Sequence, residues 1–162
     1  MKKLSIILIV INLIALLGYF NYSIQRKEKI LNNGTLVLLK LAPVDPRSLM
    51  QGDYMRLSYD ISQNVFLDSI PRRGYVVLNI DSNQIAHKIR YQQNREPLNP
   101  NEYLIEYSSP DNWALNIGAE SYFFEEGTGE RYETAQYGGL KIDKNGNSLL
   151  VGLYDKDFNK IE

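Results

Sequence analysis

The chain has no cysteine and a single histidine among its 162 residues. The first absence excludes disulfides, a thiolate nucleophile and any cysteine-ligated metal centre, and it names no compartment. The second excludes a multi-histidine metal site. A strong charge of either sign is also missing, since the formal net charge is -1. Residues 1–29 carry Lys2, Lys3, Arg26, Lys27 and Lys29 against Glu28, a net of +4, which leaves -5 on residues 30–162. A mildly acidic globular part lacks the basic face that neutralises phosphates, so no nucleic-acid partner is expected. Calcium needs 6–8 oxygen ligands, and no EF-hand spacing occurs. Gly127-Thr128-Gly129 is too short and too acidic in its surroundings to cradle phosphate. No cofactor or metal is expected.

What is present begins with an apolar stretch. From Leu4 to Phe20 only Ser5, Asn12 and Gly18 interrupt it. As a helix, it spans ~26 Å against the ~30 Å of a hydrocarbon core, and Tyr19, Phe20 and Tyr22 extend it into the interface. A cleaved signal peptide needs small residues after the apolar run. Here Gly18-Tyr19-Phe20-Asn21-Tyr22-Ser23 puts large rings in that place. The reading is therefore an uncleaved anchor, residues 1–29, with a transmembrane helix over about 4–24 that Ile24 to Asn33 prolongs. Lysines and arginines flank both ends, so the charge rule for orientation is nearly balanced. A short amino-terminal head ordinarily stays inside, which places residues 30–162 outside the cytoplasmic membrane.

The remainder reads as strands. Asn32-Asn33-Gly34 stops the helix. Leu36 to Leu41 is a nearly continuous apolar run, the pattern of a buried strand. Asp53 to Ile61 alternates, with Met55, Leu57, Tyr59 and Ile61 on one face. Gly74–Ile80 and Ile85–Tyr91 flank the turn Asp81-Ser82-Asn83-Gln84. Tyr103–Tyr107 forms a further strand before a Pro110-Asp111-Asn112 turn, and Trp113 to Phe124 gives one long or two short ones. Gly129 to Gln136 is the one short helix. A last hairpin joins Gly139–Ile142 to Ser148–Tyr154 through Asp143-Lys144-Asn145-Gly146. The 12 tyrosines suit half-buried sheet positions. The fold class is mainly β: an N-terminal transmembrane helix followed by a single β-sandwich or barrel-like domain with one short helix.

The most informative segment runs from Pro43 to Tyr59. Pro43 and Pro46 stiffen a turn, Asp45 accepts backbone hydrogen bonds there, Arg47 pairs with Asp45 or Asp53, and Gly52 permits a positive φ ahead of the strand. Gly52-Asp53-Tyr54, Leu57 and Tyr59 spell the signature of the GDYXXLXY protein family, which the chain resembles. A second stretch similar to that family is Glu120-Ser121-Tyr122-Phe123, running on to Glu126-Gly127. With the anchor, the resemblance covers nearly the whole chain. It implies a bacterial, membrane-anchored protein with its domain outside the membrane, often encoded beside multi-spanning membrane proteins. It brings no reaction with it.

Chemistry has two places to sit. One is the polar corner, where Asp45, Arg47, Asp53 and Tyr54 make either a recognition edge or a rigid, self-satisfied turn. The other is the stretch from Ile117 to Glu130, where Glu120, Glu125 and Glu126 lie near a glycine-rich loop. A carbohydrate-directed envelope hydrolase would use two of these carboxylates across a cleft; solvated carboxylates at a strand end are the plainer reading. His87 shares a strand face with Ile85, Ile89 and Tyr91, the setting of a packed histidine rather than a base. A signal-peptidase-like arrangement is similar in three places: Leu49-Met50-Gln51-Gly52-Asp53, the run Pro71 to Leu78, and Lys88 on the return strand. It fails at the nucleophile, because Pro43 stands where the serine should be and Ser48 lies on the wrong side of Pro46. The leading expectation is a non-catalytic binding or accessory domain, associated with a polytopic membrane protein. Asp45, Arg47, Asp53, Tyr54, Glu120 and Glu125 are its candidate contact residues.

Overall fold

A computed structural model of the chain describes residues 2–42, 54–63, 65, 70–109 and 115–162. The Pro43–Asp53 corner, and with it Asp45, Arg47, Asp53, Gly52 and Ser48, lies outside the described residues, as do Trp113 and the turn at 110–112.

Helix α1 runs from Lys2 to Asn33, so Ile24 to Asn33 does prolong the apolar segment. Its stretch Ser5–Asn33 is long and apolar enough to cross a membrane, and its most apolar 18-residue segment has a mean hydropathy of 2.0 and is not buried by the rest of the chain. The helix stops where the polar Asn-Asn-Gly sequence predicts. The Gly34 amide donates back to the Ile30 carbonyl at 2.8 Å, and the chain then turns directly into a strand. A Cβ on Gly34 would stand 2.5 Å from the same carbonyl, which is why glycine occupies the junction.

Eight strands follow: β1 Thr35–Lys40, β2 Tyr54–Arg56, β3 Arg73–Ile80, β4 Ala86–Gln92, β5 Glu102–Ser108, β6 Ser121–Phe123, β7 Tyr137–Ile142 and β8 Ser148–Tyr154. They form three antiparallel sheets, in the orders β1-β7-β8, β2-β6 and β4-β3-β5. Isolated bridges join the sheets. Leu38 meets Ile85, Leu41 meets Tyr59, and Ser108 meets Asn116. One core fills the space between them, built from Val37, Leu39, Met55, Leu57, Tyr59, Val76, Leu78, Ile105, Leu140 and Leu153. The domain is mainly β, with short 3-10 turns at Asp60–Ser62 and Gly129–Thr134. The second of these is the short helix the sequence suggests, in its tighter form.

Three turns share one construction. Asp81, Asp143 and Asp155 each receive two backbone amides on a single carboxylate oxygen, from two and four residues downstream, at 2.8–2.9 Å. The residues at the fourth position, Gln84, Gly146 and Phe158, take φ of 66, 87 and 64°. The aspartates close the turns by substituting for backbone acceptors, and these hydrogen bonds hold their carboxyls below the usual range despite some desolvation.

Two sequence expectations need correction. The alternation from Asp53 to Ile61 is real in burial: Met55, Leu57, Tyr59 and Ile61 are all buried. Paired strand, however, covers only Tyr54–Arg56 before the chain bends into the 3-10 turn. Alternating burial requires alternating side chains, not a continuous hydrogen-bond ladder. His87 is also not packed on an apolar face. The β3–β4 register shifts between Val77 and Leu78, so that Val77 faces Arg90, Leu78 faces Lys88 and Ile89 is left over. That bulge changes the phase of the strand. His87 and Ile89 come out exposed, whereas Tyr91 packs on the core. His87 Nε2 reaches only the Asp81 carboxylate, at 3.2 Å.

Candidate functional site

The two motif-bearing segments, separated by more than sixty residues in sequence, are hydrogen-bonded to each other. Tyr54 faces Phe123, Met55 faces Tyr122 and Arg56 faces Ser121 in the β2–β6 ribbon. The Leu57 amide extends the pairing by donating to the Glu120 carbonyl at 2.8 Å. Strand alternation then sorts the side chains. Met55, Leu57 and Tyr59 point into the core, while Tyr54, Arg56, Ser121 and Phe123 are exposed.

The inward side is built around Tyr59, which is 1% exposed. Its hydroxyl donates to the Ala119 carbonyl at 2.7 Å, tying the β2 segment to the chain that leads into β6. Burial, with the neighbouring Glu120 carboxylate adding to it, pushes the phenol far above its ordinary value, so it stays a donor. Room for the ring comes from β7, where a Cβ on Gly138 would stand 2.8 Å from Tyr59 Cε1. Beneath the ribbon Tyr122 packs edge-on against Tyr132, with centroids 5.1 Å apart. Burial, followed by that neighbour, pushes the Tyr122 phenol up to about 12.

The outward side carries an aromatic pair. The rings of Tyr54 and Phe123 lie 5.7 Å apart, and Phe123 is 73% exposed. Paired exposed rings form a contiguous apolar spot, the kind of surface feature that contacts use. Phe123 is the residue that sequence reasoning missed. It shares a face with Ser121, two positions away, but a strand of three residues has too little period to mark that face as the solvent one.

The candidate carboxylates do different things. Glu120 is half-buried and turned onto its own chain, accepting the Ile117 amide on Oε1. Glu125 and Glu126 lie in the exposed turn after β6. There the Glu125 carbonyl accepts both the amide and the hydroxyl of Thr128. Tyr54 and Glu120 are thus brought to one ribbon, with Glu125 in the turn beyond its end. Lys88, the residue placed as a peptidase base, instead donates to the Tyr91 hydroxyl at 3.1 Å. Among the described residues no group of three or more acidic or histidine side chains is placed to hold a metal ion.

Among the hollows lined by described residues, one of about 1000 Å³ lies between the end of α1 and the β domain. Two smaller ones, each about 480 Å³, flank Lys40 and Asp60. Neither Glu120 nor Glu125 lines any of the three.

The two paired segments, one holding Tyr54, Leu57 and Tyr59 and the other starting at Glu120, are the stretches that resemble a known family. A family model described as GDYXXLXY protein matches residues 16–153, most of the chain. The chain belongs to the GDYXXLXY protein family. No curated protein and no solved structure matches it. The described half of the GDYXXLXY signature therefore has a structural meaning in this chain. Leu57 and Tyr59 build the core, and Tyr54 forms part of the exposed aromatic pair.

Proposed function

We propose that this GDYXXLXY protein is a single-pass anchored domain, held outside the cytoplasmic membrane, that docks without catalysis on a polytopic membrane protein. The observation that carries this reading is the Tyr54–Phe123 pair, exposed on a ribbon whose other face is locked into the core. Exposed aromatics on a rigid support are the groups that dominate protein contacts. Arg56 on the same face adds a cation that can pair with an acidic partner or stack on its rings. Asp45, Arg47 and Asp53, within nine residues before Tyr54 in sequence, are proposed as the polar rim, with Glu120 just before the other strand and Glu125 in the turn beyond it. The apolar segment supplies the tether, which restricts the search for a partner to the same membrane.

The test is capture of tagged full-length protein from gently solubilised native membranes, beside a Tyr54→Ala/Phe123→Ala variant. A stoichiometric multi-spanning protein, reduced at least ~30-fold in the variant as for loss of a ~2 kcal/mol hot spot, supports the reading. Equal capture by both proteins removes the ribbon as the contact. Clean monomer with no partner refutes the docking function.

A further inference from the structure

The hollow between α1 and the domain is an amphiphilic groove at a defined height above the apolar segment. Its helix wall is one face of α1, formed by Tyr22, Arg26, Lys29 and Asn33. Spacings of four, three and four residues keep these side chains in line. Its domain wall carries Leu98, from the loop before β5, and Lys144, from the β7–β8 turn. The two walls are fastened together. Ile30 is buried against the domain, Arg26 donates to Asn147 Oδ1, and Lys141 Nζ donates to the Gly34 carbonyl at 3.1 Å.

Charge in the groove is positive on balance, with Arg26, Lys29 and Lys144 against Glu102 and Asp143, the latter also feeling the Arg26 charge. Both Glu102 oxygens are held by the Arg90 guanidinium, at 2.7 and 2.8 Å, and by Asn99. Asp143 closes its own turn through the amides of Asn145 and Asn147. Lys29 and Lys144 are exposed, and among the described residues neither forms a salt bridge. Tyr22 and Leu98, 69% and 41% exposed, add apolar surface to the same groove.

Height follows from helix geometry. A hydrocarbon core takes up about 20 helical residues, which from Leu4 ends near Ser23, and Arg26 and Lys29 then stand ~5 and ~9 Å beyond it. The polar layer of a bilayer leaflet is about 5–8 Å deep. Tyr22 therefore sits at the hydrocarbon boundary, Arg26 within the polar layer and Lys29 at its outer edge, within side-chain reach of lipid phosphates.

We propose that this groove binds the headgroup of an anionic membrane phospholipid. Its phosphate lies among Arg26, Lys29 and Lys144, and its acyl chains run down past Tyr22 into the bilayer. The inference rests on α1 being a retained membrane anchor and is independent of the aromatic ribbon. It makes the groove a device that sets the angle of the domain, and hence of Tyr54 and Phe123, over the membrane.

The experiment is native mass spectrometry of the full-length protein in mild detergent, offered phosphatidylglycerol and phosphatidylcholine with matched chains. Each surface cation contributes roughly fivefold to attraction of an anionic surface. The expected result is preferential retention of phosphatidylglycerol by about tenfold or more, abolished in Lys29→Gln/Lys144→Gln and kept in Lys27→Gln, whose side chain is outside the groove. Equal retention of the two lipids overturns the proposal. So does a Lys27→Gln effect as large as that of the double variant, which would mean diffuse juxtamembrane charge. Displacement of the lipid by millimolar inorganic phosphate also overturns it, in favour of a soluble anion. Release of the protein from membranes by alkaline wash would refute the anchor itself, an outcome separate from all of these.

Discussion

Replacing Tyr59 by phenylalanine keeps the ring and deletes one oxygen. In the structure that oxygen donates at 2.7 Å to the Ala119 carbonyl, in a site where Tyr59 is 1% and Ala119 3% exposed. Water does not reach the carbonyl to replace the lost donor, so the cost is that of an unsatisfied buried acceptor, about 1–3 kcal/mol. For a domain of this size each kcal/mol lowers Tm by about 3–5 °C. Gly138→Ala probes the same contact from the opposite side. Its Cβ would lie 2.8 Å from Tyr59 Cε1 and 3.0 Å from the hydroxyl. Overpacking of this kind costs about 1–3 kcal/mol, offset by about 0.5–1 kcal/mol for removing a strand glycine. The two changes share the ring, so they do not add. Tyr59→Phe relieves the hydroxyl contact but leaves Cε1 in place, so Gly138→Ala stays costly in that background. Tyr59→Leu removes the ring, and there Gly138→Ala becomes nearly neutral or stabilising. The assay is thermal and urea unfolding of the full-length protein in detergent, followed by aromatic fluorescence, over the complete cycle. A Tyr59→Phe protein within ~0.3 kcal/mol of wild type, or a Gly138→Ala cost unchanged in the Tyr59→Leu background, would refute the packing described here.

Acid sensitivity has a defined source in the Arg90–Glu102 pair. The Arg90 hydrogen bonds first, then those from Asn99, hold the Glu102 carboxyl down to about 2. Because the folded value is lowered, the stabilisation is complete above the ordinary glutamate range and is lost as pH falls from ~4.3 toward about 2. Stability measured across that window should fall less steeply in Glu102→Gln than in wild type; parallel slopes would count against the pair. At the helix–sheet junction, Gly34→Ala drives a methyl to 2.5 Å from the Ile30 carbonyl. It should loosen the seat of Ile30, raising amide exchange in residues 30–36 without changing that of β3 and β5, and unchanged exchange at the junction would contradict this. The ribbon variant Tyr54→Ala/Phe123→Ala removes one ring that is 73% exposed and one that is 43% exposed, so its Tm should fall only modestly while partner capture is lost. A large fall in Tm would show that the pair serves the fold instead.

Sequence carries the hairpins and the core faces of this domain well, because each rests on local chemistry. Asp81-Ser82-Asn83-Gln84 and Asp143-Lys144-Asn145-Gly146 hold a side-chain acceptor at the first position, and both turn as that acceptor requires. Asn33-Gly34 stops the helix for equally local reasons. What stayed hidden depends on distance. The bulge at Ile89 is set by how β4 must meet β3, and it turned His87 away from the face that simple alternation assigned. Phe123 reads as core until Tyr54 is known to lie across from it, since a three-residue strand has too little period to show which way it faces. The groove is further removed still. Tyr22, Leu98 and Lys144 come from a helix, a loop and a turn with no common sequence pattern.

The signature of the family divides along the strand period, and that division gives a way to separate folding from function. Leu57 and Tyr59 have their side chains in the core, and Tyr54, three positions before Leu57, has its ring in solvent. β6 divides in the same manner, with Tyr122 inward against Tyr132 and Phe123 outward against Tyr54. If the ribbon existed only to close the core, its outer face would tolerate polar residues, because strand alternation needs apolar side chains on the inner face alone. Instead the outer face carries two rings, Phe123 at 73% and Tyr54 at 43% exposure. Their mutual contact, about 0.5–1.5 kcal/mol, offsets part of the cost of keeping them in water. A contact beyond this chain would remove that remaining exposure.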